Sequence, residues 1–460
     1  MTVSRVAAQS TDLSGGNAIR EDRLPRRLGV WSAAGAAVGL TIGSGIFRVP
    51  STVASETGSV GGSILVWVLG GVITLCGALT VAELAALYPR AGGTYVYLRE
   101  AYGRLPAFLF GWSWFFIRSA ASAATALIFV AYLRTFVPLD DVQGRVVAVA
   151  LILLVGLANY RSVRLGAAIQ NISTVGKVIA LLVLTGVIFA LGEVQDGALA
   201  SPPSLAPWSW GGFGVALIAV LFAYDGWMSA TLIGGEIRDP ERALPRALGG
   251  AAMVIVGVYL AINAAYLYAL PLAAMAGSTA VAADSMTRVA GAGGAALVAA
   301  LVMLSTFGGL NAGIMTGPRV FYAMAEDGMF FRAVAAVHPR YRTPHVATVV
   351  IVALTMLSAS VRTFEQLAES FVLLFYPFLA LTVAAVFVLR RRRPDLPRPY
   401  RTTGYPVVPA IFLIGAVAMM ANALVERPSA TLLSAGIIVA GLPVYFVWRR
   451  QAGSAHSYRL

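Results

Sequence analysis

Charge is scarce in this chain. Only 12% of its 460 residues are Asp, Glu, Lys or Arg, about half the ~25% of a soluble domain. A water-facing surface of this size cannot be built from so few charges, which excludes an ordinary soluble fold. Cysteine is scarcer still. Cys76 stands alone inside an apolar run, which excludes an intrachain disulfide and a thiolate metal site. The three histidines, His338, His345 and His456, fall in loops or the tail and form no metal cluster. No GxxxxGK[ST] run is present, so nucleotide-driven pumping is excluded within this chain. The apolar segments hold no clustered His or Cys and no paired carboxylates, so an enzyme is not expected, nor any cofactor. The first 27 residues lack an apolar core followed by a small-residue cleavage site, so the first apolar segment is expected to be an uncleaved anchor.

What the chain has is apolar length. Residues of the AVILMFWYC set make up 58%, and the mean hydropathy is +0.78. Uncharged runs such as Val30–Phe47, Thr57–Ala82, Val289–Pro318 and Pro428–Trp448 each reach the roughly 18 residues that cross a bilayer core as helix. Twelve such segments are expected, near 28–58, 62–87, 104–134, 145–160, 166–192, 212–237, 243–271, 289–325, 345–361, 365–389, 404–425 and 429–448. The chain thus reads as an all-α polytopic membrane protein with 12 transmembrane helices. The net charge of +13 resides mostly in alternate loops rather than along one helix, so it reports a bilayer rather than a nucleic-acid partner. Loop Arg390–Arg401 alone carries six arginines, whereas 193–211 carries none. Under the positive-inside rule this alternation puts both tails, 1–27 and 449–460, in the cytoplasm.

Two segments break the rules of a membrane helix. In hydrocarbon every backbone N–H and C=O must be paired, so irregular backbone survives only against a cavity or within protein. The first segment contains GLTIGSGIFRVP, residues 39–50, with Gly43 and Gly45 flanking Ser44 near its middle. Each glycine costs a helix roughly 1 kcal/mol relative to alanine and lets a ligand approach bare backbone. The sixth contains FAYDGWMS, residues 222–229, with Asp225–Gly226 at mid-membrane depth. An aspartate there costs roughly 2.5–3.5 kcal/mol and faces a cavity or a partner. The bland alternative is that Gly39-x-x-x-Gly43 only lets helices pack closely. The breaks, however, fall in corresponding segments of two five-helix halves, and an odd number of spans per half inverts the second half. Paired interruptions of this kind point to a transporter's midplane site.

The chemistry of such a site follows. Unwinding the first segment frees amides of Gly43, Ser44 and Gly45 at the positive end of the second half-helix, which suits a carboxylate. Thr41, Ile42 and Ile46 complete that stretch. Unwinding the sixth frees carbonyls of Phe222, Ala223 and Tyr224, which suit an ammonium. A zwitterion of amino-acid size satisfies both ends, with its side chain projecting toward Phe222 and Trp227 beside Asp225 and Gly226.

IGSGIF, FAYDGW, EIRDPERALPRAL (236–248), AELAALYPRAGGTYVYLREAYG (82–103) and YRTTGYPVVP (400–409) together resemble the amino acid–polyamine–organocation superfamily. The similarity is to the bacterial relatives of the L-type amino acid transporters and runs from Leu28 onward. The resemblance implies a 5+5 inverted repeat (28–192 and 212–389) with broken helices 1 and 6, two additional helices (404–448), and alternating access around the breaks. The bacterial relatives work without a partner glycoprotein, so no partner subunit is expected.

Lysine occurs once, as Lys177, against 33 arginines, and lies in the fifth segment with no charge after it until Glu193. One reading is a side chain snorkelling to the interface. The other is an inward ammonium donating to freed carbonyls near Thr41–Gly43, where a compact cation does the work of a bound sodium. In L-type relatives a lysine at the matching position is associated with sodium-independent transport. Arg118 lies mid-segment and either pairs with an acid or faces the added helices. Asp225 holds the substrate ammonium, relays a proton, or caps the following half-helix; L-type relatives often carry glycine there, which leaves side-chain preference open. Glu236 and Arg238 are expected as gating or structural ion-pair groups. The sequence thus points to sodium-independent movement of neutral L-amino acids across the inner membrane, by exchange, facilitated transport or proton coupling. A cationic amino acid or polyamine carrier is the alternative, with a membrane-embedded amino acid sensor as the alternative of another class.

Overall fold

The computed structural model describes residues 28–90, 92–161, 163–192, 207–330, 334, 336, 338–341 and 343–457. The tail 1–27, much of loop 193–211 and the Glu236 side chain lie outside the described residues. The described part of the chain is mainly helical. Its helices are α1 (Val30–Thr41), α2 (Gly45–Thr57), α3 (Val60–Leu87), α4 (Thr94–Tyr102), α5 (Arg104–Leu133), α6 (Asp141–Arg161), α7 (Val163–Leu191), α8 (Trp210–Ala223) and α9 (Ser229–Leu232). They continue with α10 (Pro240–Ala269), α11 (Leu272–Gly277), α12 (Val281–Thr316), α13 (Pro318–Glu326), α14 (His345–Val361), α15 (Phe364–Arg392), α16 (Val407–Glu426) and α17 (Pro428–Ser457).

Local chemistry sets many of the ends. Gly58, with φ 58°, stops α2 by turning left-handed and donating to the Ala54 carbonyl at 3.2 Å, a conformation that costs glycine nothing. Ser59 then caps α3, accepting from the Gly62 amide at 3.1 Å, and Ser209 caps α8 at 3.0 Å. Thr363 and Gln366 form a reciprocal capping box at the start of α15.

Among the described residues, eight helical stretches are long and apolar enough to cross a membrane, or nine if α1 and α2, bent by 44°, count as one; the apolar stretch Val175–Leu191 of α7, α8 and α14 are shorter. Exposed Val146, Leu154, Val175, Leu182, Ile414 and Val417 on α6, α7 and α16 form the apolar periphery that a bilayer covers. Two expectations change in detail. The expected segment 289–325 begins earlier, at Val281, turns sharply at Gly291 (φ 67°), and passes into a separate α13 after Thr316. The amphipathic α4, too short and polar to cross, was not legible as an element of its own. It packs on α5 and α15 at the arginine-rich end of the molecule.

α2 packs on α8, and α1 on α9 as well as on α10, so the two interrupted segments cross. Around them lies an aromatic triad, Trp67, Tyr224 and Tyr259, with ring centroids 5.2–5.9 Å apart.

Candidate functional site

The helix of the first segment ends at Thr41 and resumes at Gly45. The intervening backbone is fastened from three directions. The Gly43 amide donates back to the Thr41 carbonyl at 2.7 Å, and that carbonyl also accepts the Tyr259 hydroxyl of α10 at 2.7 Å. The Ser44 hydroxyl meets that of Thr125 on α5 at 3.2 Å. The ammonium of Lys177, which is 3% exposed, donates to the Gly39 carbonyl in the last turn of α1. Among the described residues no carbonyl accepts from the Ser44 or Gly45 amide. These two therefore remain open at the positive start of α2. The expected third amide is different: Gly43 is spent on its own tight turn.

The sixth segment breaks after Ala223 and resumes at Ser229. The expectation of three free carbonyls needs correction here also. The Phe222 carbonyl accepts from the Asp225 amide at 3.2 Å, whereas among the described residues no backbone amide donates to the carbonyls of Ala223 or Tyr224. Gly226 bends the chain at φ 119°, where a side chain is strained.

The breaks touch main chain to main chain. A Cβ on Gly45 would lie 2.5 Å from the Ala223 Cα, and one on Gly226 would lie 2.5 Å from the Thr41 nitrogen. Each break carries a glycine where the other's backbone passes. The start of α2 thus lies against the end of α8, so the open amides of Ser44 and Gly45 and the open carbonyls of Ala223 and Tyr224 belong to neighbouring stretches of backbone.

A small cavity adjoins this crossing and extends toward α4 at the arginine-rich end. Asp225 and Gly226 line it, as do Leu40, Met228 and Thr316; its far wall comes from Phe110, Trp114 and Arg118 on α5 and Phe371 and Phe375 on α15. Spacing held a signal for that wall. Residues 110, 114 and 118 recur at four-residue intervals, as do 371 and 375, which puts each set on one helix face. Trp227, expected on the substrate side, does not line this cavity. Its ring is 2% exposed and turns toward Gly77 of α3, in the neighbourhood of Phe412 of α16. Phe222 packs against Phe364 and Phe371, at 5.7 and 5.5 Å. In both cases packing against a neighbouring helix, not the break, sets the ring's direction.

Ile42 and Ile46 are fully buried. Arg118 lines the same cavity as Asp225, yet no ion pair within 4.0 Å joins them among the described residues. Glu236 lies in the turn Gly234–Glu236 that follows α9. The Arg238 side chain is exposed and, among the described residues, forms no ion pair; its amide donates to the Leu28 carbonyl at 2.7 Å. The ion-pair role expected of Glu236 and Arg238 falls in part on a side chain outside the described residues; the Arg238 amide makes a main-chain tie between the start of α1 and the end of the sixth segment, available because Ile237 runs extended there.

The family description "Amino acid permease" matches residues 28–448. The chain belongs to this amino acid permease family. It is 31% identical to the serine/threonine exchanger SteT of Bacillus subtilis (strain 168), over 94% of this chain and 99% of that protein. It is 32% identical to the large neutral amino acids transporter small subunit 2 of Mus musculus, over 94% and 82%. It is 31% identical to the Asc-type amino acid transporter 1 of Mus musculus, over 95% and 84%. An amino acid permease of this family is a multi-pass membrane protein and a transporter rather than an enzyme. The apolar helices and the polar crossing at their centre are what such a protein requires.

Proposed function

We propose that this permease carries neutral L-amino acids across the inner membrane by alternating access around the two breaks, with the substrate carboxylate at the Ser44 and Gly45 amides and the ammonium at the Ala223 and Tyr224 carbonyls. The observation that carries the reading is the reciprocal contact of Gly45 with Ala223 and of Gly226 with Thr41. Opposite backbone dipoles there belong to neighbouring stretches of chain, in a medium where unmet polar groups are costly.

Twelve spans in a 5+5 inverted repeat, with both termini cytoplasmic, remain the topology that fits. The eight long stretches, the bent pair and the three shorter apolar helices fall where the twelve segments are expected. Lys177, seated on the Gly39 carbonyl, supplies the cation that would otherwise be a bound sodium, so transport is sodium-independent. Exchange is the favoured mode, because the Bacillus subtilis relative is a serine/threonine exchanger. Arg118 beside Asp225 argues against a cationic side chain as the preferred cargo. No partner subunit is required for transport in this reading.

Counterflow in proteoliposomes holding the purified chain alone tests all of this. Labelled neutral amino acids should accumulate against an internal unlabelled pool, equally in sodium and in choline buffer. Uptake that needs a sodium gradient would remove the role given to Lys177. Uptake that needs a second protein would remove the single-chain reading.

A further inference from the structure

The cavity beside the breaks contains one guanidinium and one carboxylate that do not neutralise each other by contact. Arg118 is 9% exposed, its Nε has no partner, and it donates no hydrogen bond among the described residues. Asp225 borders the same space. The neighbouring hydroxyls are already committed as donors. Ser229 donates to the Ala36 carbonyl at 2.9 Å, Thr231 to Met228 at 2.7 Å, and Thr316 to Ala312 at 2.7 Å. The remaining wall is largely aromatic and aliphatic. Buried charges in such surroundings are stabilised only by hydrogen bonds that replace lost water.

The position of this pair decides what a cargo side chain meets. Gly226 abuts Leu40 and Thr41, and Asp225 precedes it, so a side chain leaving the breaks on that side enters the cavity between the carboxylate and the guanidinium. A cationic side chain is attracted by Asp225 and repelled by Arg118; an anionic one meets the reverse. A hydrocarbon side chain displaces water from both charges and gives neither a partner. A hydroxyl or carboxamide both donates and accepts, so it can serve the carboxylate and the guanidinium together.

We infer that Arg118 and Asp225 make this permease selective for amino acids with uncharged hydrogen-bonding side chains, hydroxyl or carboxamide, over apolar side chains of the same shape. The inference rests on the proposal that the amino and carboxyl groups sit at the breaks. Sites built to hydrogen-bond a substrate group reject analogues lacking it far more strongly than apolar pockets reject an extra methylene.

Two near-isosteric pairs test it: threonine against valine, and glutamine against methionine. Each is supplied as labelled substrate to proteoliposomes, and uptake efficiency is compared within the pair. Wild-type protein should favour the polar member at least tenfold, about 1.4 kcal/mol. The Arg118→Met/Asp225→Ala double variant should bring both ratios toward one, and Arg118→Lys should restore part of the preference. If wild-type protein moves valine as well as threonine and methionine as well as glutamine, selectivity of this kind is absent, although transport stands. Ratios that persist in the double variant would place selectivity elsewhere and overturn the assignment. Should the double variant fail to insert, the wild-type ratios alone decide. If the wild type moves no amino acid in either pair or in the wider panel, the transport reading falls and this inference with it.

Discussion

The two breaks look alike in sequence and are built differently. The first is tied down from outside. Lys177 of α7, Tyr259 of α10 and Thr125 of α5 each reach it, and its own Gly43 amide closes a tight turn. The second is held mainly by its own short turns, carries Asp225 and Gly226 into the cavity, and leaves two carbonyls uncommitted. A ligand site in low dielectric needs fixed dipoles on one side and uncommitted groups on the other. The first break supplies the rigid scaffold, since outside groups fasten it while only its Ser44 and Gly45 amides stay open, and the second supplies the adaptable surface. Both still depend on one close backbone approach.

The sharpest way to break that arrangement is to fill the approach. Gly226→Val places a β-branched side chain at φ 119° and drives its Cβ into the Thr41 backbone; Gly45→Val does the same to Ala223. Either variant should lower counterflow by about a hundredfold or more, while membrane insertion, read by detergent-solubilised size-exclusion profiles, is retained. Full uptake in both variants would show that the breaks are not the site.

A smaller effect is expected where only the scaffold is loosened. Lys177→Met keeps the side chain's length but removes the donor to the Gly39 carbonyl. Losing a charge-assisted bond worth roughly 1.5–3 kcal/mol should cut transport about ten- to hundredfold. An unchanged rate would show that Lys177 only fills space between α7 and α12.

The mildest perturbation is Tyr259→Phe, which deletes one hydroxyl from a carbonyl that retains its Gly43 donor. A single hydrogen bond of about 1 kcal/mol predicts a few-fold loss of uptake and a melting temperature lower by a few degrees in detergent. If this change proves as damaging as Gly226→Val, the first break is not the over-determined partner described here.

How much of this was legible beforehand depends on what enforces each feature. The interrupted segments were readable because glycine around Ser44 and Asp225–Gly226 at bilayer depth are local facts with local costs. The lengths of α3, α5 and α15 were readable for the same reason. The direction of Trp227 was not, because Gly77 and Phe412, the groups on its side, come from α3 and α16, and no local pattern encodes that choice. Arg118 was visible as an anomaly without a role, and only the meeting of α5 with the sixth segment set it opposite Asp225. The wall residues Trp114 and Phe375 were half visible: their spacing marks a face, but nothing in the spacing says that the face borders a cavity.

By itself the sequence determined that the protein lives in a bilayer, because so few charges cannot clothe a soluble surface, and that two of its helices must part, because glycine and a buried acid make continuous helix costly there. Only the tertiary structure decided which freed amides and carbonyls stay open. Those bonds join groups as distant as Thr41 and Tyr259, whose meeting is set by how whole helices pack.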